Sequence, residues 1–206
     1  IKTWPLSDYA PNAQYLVGLC YEAEHDDERA FKAYQQVFDN YPRSEKLGDV
    51  MERQYQIGLR FLGGQRFKLF GLFPFFPDMD KTAEMFEKIV ASGPYSAVGP
   101  SAQLRIGAAR ERQKNYPEAV AAYERAADRY HDLPVIAADA LYRADDLPGA
   151  LAEGVMAAKI DSGCSRILPE IGRQLADAGR LDDAERFLAA APGVVNFNAE
   201  QAIAQA

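Results

Sequence analysis

The chain has 206 residues, 48% of them hydrophobic and 26% charged, and its 30 Asp and Glu outnumber its 23 Lys and Arg to give a net charge of −7. This is the composition of a folded protein and excludes a disordered or collagen-like chain. Residues 1–100 carry 11 basic and 14 acidic side chains and residues 101–206 carry 12 and 16, so no basic half exists to grip phosphates and nucleic acid is not expected as a partner. Two cysteines, Cys20 and Cys164, cannot build a disulfide framework. No run approaches the ~20 apolar residues of a membrane-spanning helix.

In chain order, the first feature is a linker, Pro5 to Gln14, that reads P-x-S-x3-P-x-A-Q and recurs from Pro94 to Gln103. Pro5 thus falls where a helix has just ended, and the chain is expected to open in the last residues of an upstream repeat. Each linker runs into a short string: Gln14 to Gly18, and Gln103 to Gly107, with a third copy from Gln54 to Gly58. Ala30 and Ala119 stand twelve residues after Gly18 and Gly107, followed four residues later by Tyr34 and Tyr123 respectively. After Gly58 the same place is reached twelve residues late, at Thr82 and Phe86. Pro42 and Pro94 then stop the pattern. A fainter copy includes Ala150, and a clear fifth runs through Ile171-Gly172, Leu175 and Ala184.

This pattern predicts repeated helix–turn–helix units. A glycine inside a helix costs ~1 kcal/mol against alanine, so Gly18, Gly58, Gly107 and Gly172 imply close packing of a second helix. The reading is that Gly meets the small residue of the second helix, at Ala30, Ala119, Ala150 and Ala184. Asp26-Asp27, Asp80, Asn115, Asp145-Asp146 and Asp182-Asp183 are the polar starts of second helices, suited to free N–H groups and the positive helix end. Pro117 and Pro148 fit a first turn.

The spacing of Gly, small residue, aromatic and Pro resembles the tetratricopeptide repeat, and five copies of about 34 residues would account for most of the chain. The fold class expected is all-α, an α-solenoid of tetratricopeptide-like hairpins, with repeats over 1–143 and two further hairpins and a tail over 144–206. The strings at residues 30–44, from Ala30 to Ser44, and 86–96, from Phe86 to Ser96, are similar to those of the BamD/ComL-like lipoproteins. That resemblance covers about residues 5–143. It implies a periplasmic scaffold at the outer membrane whose partners are β-barrel assembly subunits or extended peptides, held by a lipid anchor not in this chain. The chain departs from the family in lacking a lipid-bearing Cys and in stopping a first helix short at Ala144, where a missing segment would explain the break. Alternatives are a periplasmic cell-envelope or cell-division repeat protein, or the regulatory array of a larger enzyme.

The resemblance implies a groove lined by first-helix residues: Tyr15, Leu19, Glu22, Glu52, Tyr55, Leu104, Ala108 and Glu111. Their mixed aromatic and acidic character suits an extended peptide with apolar and basic side chains. A second candidate surface is the aromatic insertion 62–80, which with Phe61 holds six of the eleven Phe. Its Phe67, Phe70, Phe73, Phe75 and Phe76 either fold back on the repeats, dock a protein, or touch a membrane surface. Glu22, Glu24, His25, Asp26, Asp27 and Glu28 lack the fixed ligand geometry of a metal site and read as a solvated turn. Cys20 reads as a small core residue, and Cys164 lies in a Ser-Gly-Cys-Ser turn. Arg105, Arg110, Arg112 and Lys114 read as a solvated basic face, with an acidic partner the alternative. No catalytic or cofactor motif is present, so no enzyme activity, cofactor or metal is expected.

Overall fold

A computed structural model of the chain describes residues 7–69, 73–74, 77–160 and 166–191. Pro5, Phe70, Phe75, Phe76 and Cys164 lie outside the described residues, and Phe73 is described as backbone alone. The described chain forms two compact units, Ile1–Tyr116 and Pro117–Ala206.

The first unit holds α1 (Ala10–Ala23), α2 (Asp27–Asn40), α3 (Leu47–Leu62), α4 (Met79–Ser92) and α5 (Gly99–Arg112). Between α3 and α4, β1 (Lys68–Leu69) and β2 (Phe73–Pro74) pair antiparallel, Lys68 opposite Pro74 and Leu69 opposite Phe73. Each helix packs on the next in sequence. Tyr34, Ile57, Phe61, Phe86 and Ile89 are fully buried between them. The second unit holds α6 (Tyr116–Arg129, counted here from Pro117), α7 (Pro134–Arg143), α8 (Leu147–Ile160), α9 (Ile167–Asp177) and α10 (Leu181–Ala190). Its core gathers Leu147, Ala150, Leu168, Ile171, Leu175, Ala184 and Phe187. No described helix is long and apolar enough to cross a membrane.

One turn ends every first helix. A residue with positive φ donates its N–H three residues back and its successor donates five back. His25 (φ 55°) bonds Glu22 and Asp26 bonds Tyr21, and Gly64 (φ 107°) and Gln65 repeat this on Phe61 and Arg60. Lys114, Asp145 and Gly179 do the same at φ 62°, 65° and 77°. This paired bonding is the Schellman helix end, which satisfies carbonyls left free in the last turn. The abrupt change at Ala144 is therefore the repeat's ordinary turn. In the first hairpin the residue after the turn caps the next helix, Asp26 Oδ1 accepting from the Arg29 N–H at 3.3 Å. Asp146 does the same for the Gly149 N–H at 3.1 Å. At α4 the cap is Asp78, which accepts from the Lys81 N–H, and not Asp80.

The nearest neighbour of each of three glycines is not the small residue expected, although the Ala184 carbonyl lies 3.4 Å from a Cβ placed on Gly172. A Cβ on Gly18 would sit 2.2 Å from the Tyr34 ring, on Gly58 2.8 Å from the Phe86 ring, and on Gly172 2.9 Å from Leu188. The contact is with the large residue four places beyond the small one. A long side chain on a helix leans toward the N-terminus and covers the turn before its own Cα, so the large residue fills the space opposite the small one. The recurring Gln has a role as well. Gln14 Nε2 donates to the Ala33 carbonyl at 3.0 Å and Gln54 Nε2 to the Phe31 carbonyl at 3.3 Å, each tying a first helix to the α2 backbone.

Two other expectations are corrected. Cys20 is exposed, because the buried face of α1 is Ala10, Gln14 and Gly18 and Cys20 lies two residues round from it. Arg105 and Arg110 are not a solvated run: Arg105 Nε donates to the Tyr55 hydroxyl at 3.4 Å and Arg110 Nη1 to Asp80 at 2.6 Å. For Phe67 the structure decides among the three readings of the insertion: it folds back on the repeats, 5% exposed and stacked on Phe61 with ring centroids 4.1 Å apart, and is not an exposed partner contact. Gly64 turns the chain back so that Phe67 reaches the helices and removes its apolar surface from water.

Candidate functional site

A cavity of about 590 Å³ opens between α1 and α3, lined by Tyr15 and Glu22 from the first helix and by Asp49, Glu52, Arg53, Gln56 and Arg60 from the second. Three of the expected groove residues, Tyr15, Glu22 and Glu52, are thus brought together. Leu19 and Glu111 are half-buried outside this lining, and Tyr55 sets its ring edge against Phe86 at 5.9 Å. Leu104 is only 8% exposed and supplies core packing of α5, so it is not groove surface.

The site is held by one ionic network. Glu22 Oε2 accepts from the Tyr34 hydroxyl at 2.6 Å and from Arg53 Nη1 at 2.8 Å, and Oε1 accepts from Arg60 Nη2 at 3.1 Å. Arg60 also forks onto Asp27, with Nε to Oδ2 at 2.8 Å and Nη2 to Oδ1 at 2.7 Å. Gln65, the first residue after the α3 turn, donates to Asp27 Oδ2 at 2.8 Å. Arg53 Nε donates to the Tyr15 hydroxyl at 3.0 Å, and the Tyr15 ring has Lys46 Nζ 5.6 Å and the Arg53 guanidinium 5.8 Å from its centroid. The acidic turn is therefore not solvated throughout: Asp26 and Asp27 are buried. Among the described residues no cluster of His, Cys, Asp and Glu is placed to hold a metal ion.

The protonation states follow from these partners. Burial, then the hydrogen bond to Glu22, raises the Tyr34 phenol above its ordinary value, so it stays a donor. The hydrogen bonds to Tyr15 and Glu22 keep Arg53 charged, and that to Asp27 does the same for Arg60. Burial works against ionisation of Asp27, but hydrogen bonds from Arg60 and Gln65 outweigh it and hold the carboxyl below its ordinary 3.8. A folded-state value below the unfolded one means stability that is present above the unfolded value and lost as pH falls through the folded one. Asp27→Asn is accordingly expected to lower the melting temperature at neutral pH. The gap to the wild type should then close as the pH falls below the ordinary 3.8 and through the lower folded-state value. Thermal melts across that range check it, and a gap independent of pH would show that ionised Asp27 adds nothing.

Sequence reading did not place Arg53, Arg60 or Asp27 in this site, Asp27 being read only as a helix start in a solvated turn. The available signal was the spacing of Arg53, Gln56 and Arg60, which puts three polar residues on one face of α3. Nothing local joins that face to Glu22, 31 residues away from Arg53.

The hairpins joined by these turns define the class: an all-α, tetratricopeptide-like α-solenoid. Matching against protein families finds the tetratricopeptide repeat at residues 12–44 and 101–132, so the chain carries repeats of that kind over most of α1 and all of α2, and again over most of α5 and all of α6. Such repeats build protein-interaction scaffolds. Among solved structures the chain is similar to one described as "MamA RS-1 ArsTM double mutant", at 14% identity and a TM-score of 0.46, covering 90% of this chain and 94% of that one. No curated protein matches the chain.

Proposed function

We propose that the cavity between α1 and α3 binds an extended, basic segment of a partner protein. The observation that carries this is the unequal use of its charges. Both arginines are neutralised in place by Glu22 and Asp27, whereas Asp49 and Glu52 stand outward, Asp49 with 59% of its side chain exposed. The surface left for a ligand is acidic, beside the Tyr15 ring. Among the described residues Asp49 has only the Lys46 ammonium, 3.6 Å away, and Glu52 accepts only from the Gln56 amide at 2.9 Å, so a Lys or Arg of the ligand meets carboxylates in looser pairs than those of Glu22 and Asp27. Outward carboxylates also steer a basic chain toward the site.

The scaffold's setting rests on the strings at residues 30–44 and 86–96 alone. They favour the periplasmic face of the bacterial outer membrane, with subunits of the β-barrel assembly machinery and incoming outer-membrane proteins as partners. In that reading the basic segment is a strand of a barrel protein before insertion. One set of experiments tests both levels. A labelled basic peptide of alternating Val and Lys should bind, and Asp49→Lys with Glu52→Lys should weaken it about tenfold, ~1.4 kcal/mol, without changing the melting temperature. Equal binding by that variant would sink the groove. Co-purification from detergent-solubilised envelopes tests the setting, which fails if no β-barrel assembly subunit is recovered.

A further inference from the structure

A separate cavity, lined by the second helices α2 and α4 with Phe67, shares no lining residue with the one between α1 and α3. It has a volume of about 230 Å³. Its floor is apolar: Phe31, Phe67 and Met85 contribute the last 3%, 5% and 9% of their surfaces. Its rim carries Lys32, Lys81 and Lys88. Glu28 and Glu84 are also at the rim, so three ammonium groups face two carboxylates in a chain whose net charge is −7. Lys81 is shared, with Nζ 3.4 Å from Asp78 Oδ2 and 5.2 Å from the Phe67 ring centroid. Lys32 and Lys88 are exposed and carry no ion pair among the described residues.

We propose that this cavity is a second docking site, for an acidic segment of a partner protein that inserts one large apolar side chain between Lys32 and Lys88. Size and charge select this occupant. Cavities that enclose free small molecules run to ~300–1,000 Å³, so this one suits a single side chain presented by a longer chain. An apolar floor needs an apolar filler, because water there would find no hydrogen-bond partners. Two uncommitted ammonium groups at the mouth favour carboxylates on either side of that filler. Phe67 makes the site depend on the insertion: by stacking on Phe61 it gives the cavity part of its floor instead of projecting as a contact of its own. The site is independent of the acidic cavity between α1 and α3, which would repel the same segment.

The probe is the acetylated and amidated peptide EDEFDEE, titrated into the full chain labelled at its methionine methyls. Met85 is expected to shift on binding while Met156, in the other unit, stays still. Lys32→Glu with Lys88→Glu is expected to weaken binding at least tenfold at an unchanged melting temperature, both positions being exposed. A peptide with Ser in place of Phe is expected to bind at least tenfold more weakly than the parent. The proposal is overturned if Met85 does not move at millimolar peptide, if the double variant binds as the wild type does, or if the Ser peptide binds equally, which would leave charge attraction without a pocket.

Discussion

Gly18→Ala is expected to destabilise the chain by about 1–3 kcal/mol, the range of overpacked cores, even though alanine is the better helix former by ~1 kcal/mol. The new methyl would stand 2.2 Å from Tyr34 Cε1 and 2.5 Å from Cδ1, far inside contact distance. A flexible neighbour would move aside. Tyr34 cannot do so cheaply, since it is fully buried and its hydroxyl is fixed to Glu22 at 2.6 Å. Either the ring keeps its hydrogen bond and α1 is forced off α2, or the ring swings and the hydroxyl loses its acceptor. Gly48→Ala supplies the control: it also lies in a helix, nothing stands within 4 Å of its added methyl, and it should be neutral or stabilising. Urea denaturation of the two variants decides the matter. In a double-mutant cycle Tyr34→Leu should recover part of the Gly18→Ala loss, because the two changes act on one contact. A Gly18→Ala protein as stable as the wild type would show that the close approach is not what keeps glycine there.

The same contact marks how far the sequence could be read. Gly18, Gly58 and Gly172 announce close helix packing by their recurrence, and Pro42 and Pro94 announce where second helices stop. These features are legible because they are local and periodic. The partner of each glycine is not, since it depends on which way a large side chain leans in three dimensions. Tyr34 and Phe86 stand at marked repeat positions, and Leu188 holds the equivalent place four residues after Ala184, yet the small residue is the better match by size alone. The turns were hidden for another reason. Left-handed backbone is expected of glycine, and Gly64 and Gly179 obey, but His25, Lys114 and Asp145 hold the same conformation at φ 55°, 62° and 65°. The two hydrogen bonds of each turn offset the conformational cost, so the residue type carries little signal. The ionic network was the least legible element. Its members Glu22, Asp27, Arg53 and Arg60 lie on three helices, and surface composition gives no hint of which carboxylate meets which guanidinium.

Glu22→Ala is expected to cost about 2–3 kcal/mol, most of it from the Tyr34 hydroxyl left buried without an acceptor, which is worth ~1–3 kcal/mol. The two ion pairs lost with it add less, because the Arg53 and Arg60 side chains are 41% and 42% exposed and solvent screens them. Glu22→Gln retains an oxygen for Tyr34 and should cost only ~1 kcal/mol. Tyr34→Phe in the Glu22→Ala background should therefore recover stability, whereas Tyr34→Phe alone should lose it. That reversal of sign separates the buried hydroxyl from the surface charges, and its absence in denaturation curves would return the weight to the ion pairs. The change should also reach binding. With Glu22 gone, Arg53 is freed of its carboxylate and turns its charge into the cavity, while Arg60 keeps Asp27. The ligand surface is then less acidic, so affinity for the basic peptide should fall in Glu22→Ala and hold in Tyr34→Phe, at temperatures where both variants are folded. Equal affinities in the two would mean that Glu22 orders the hairpin but does not set the charge presented to a partner.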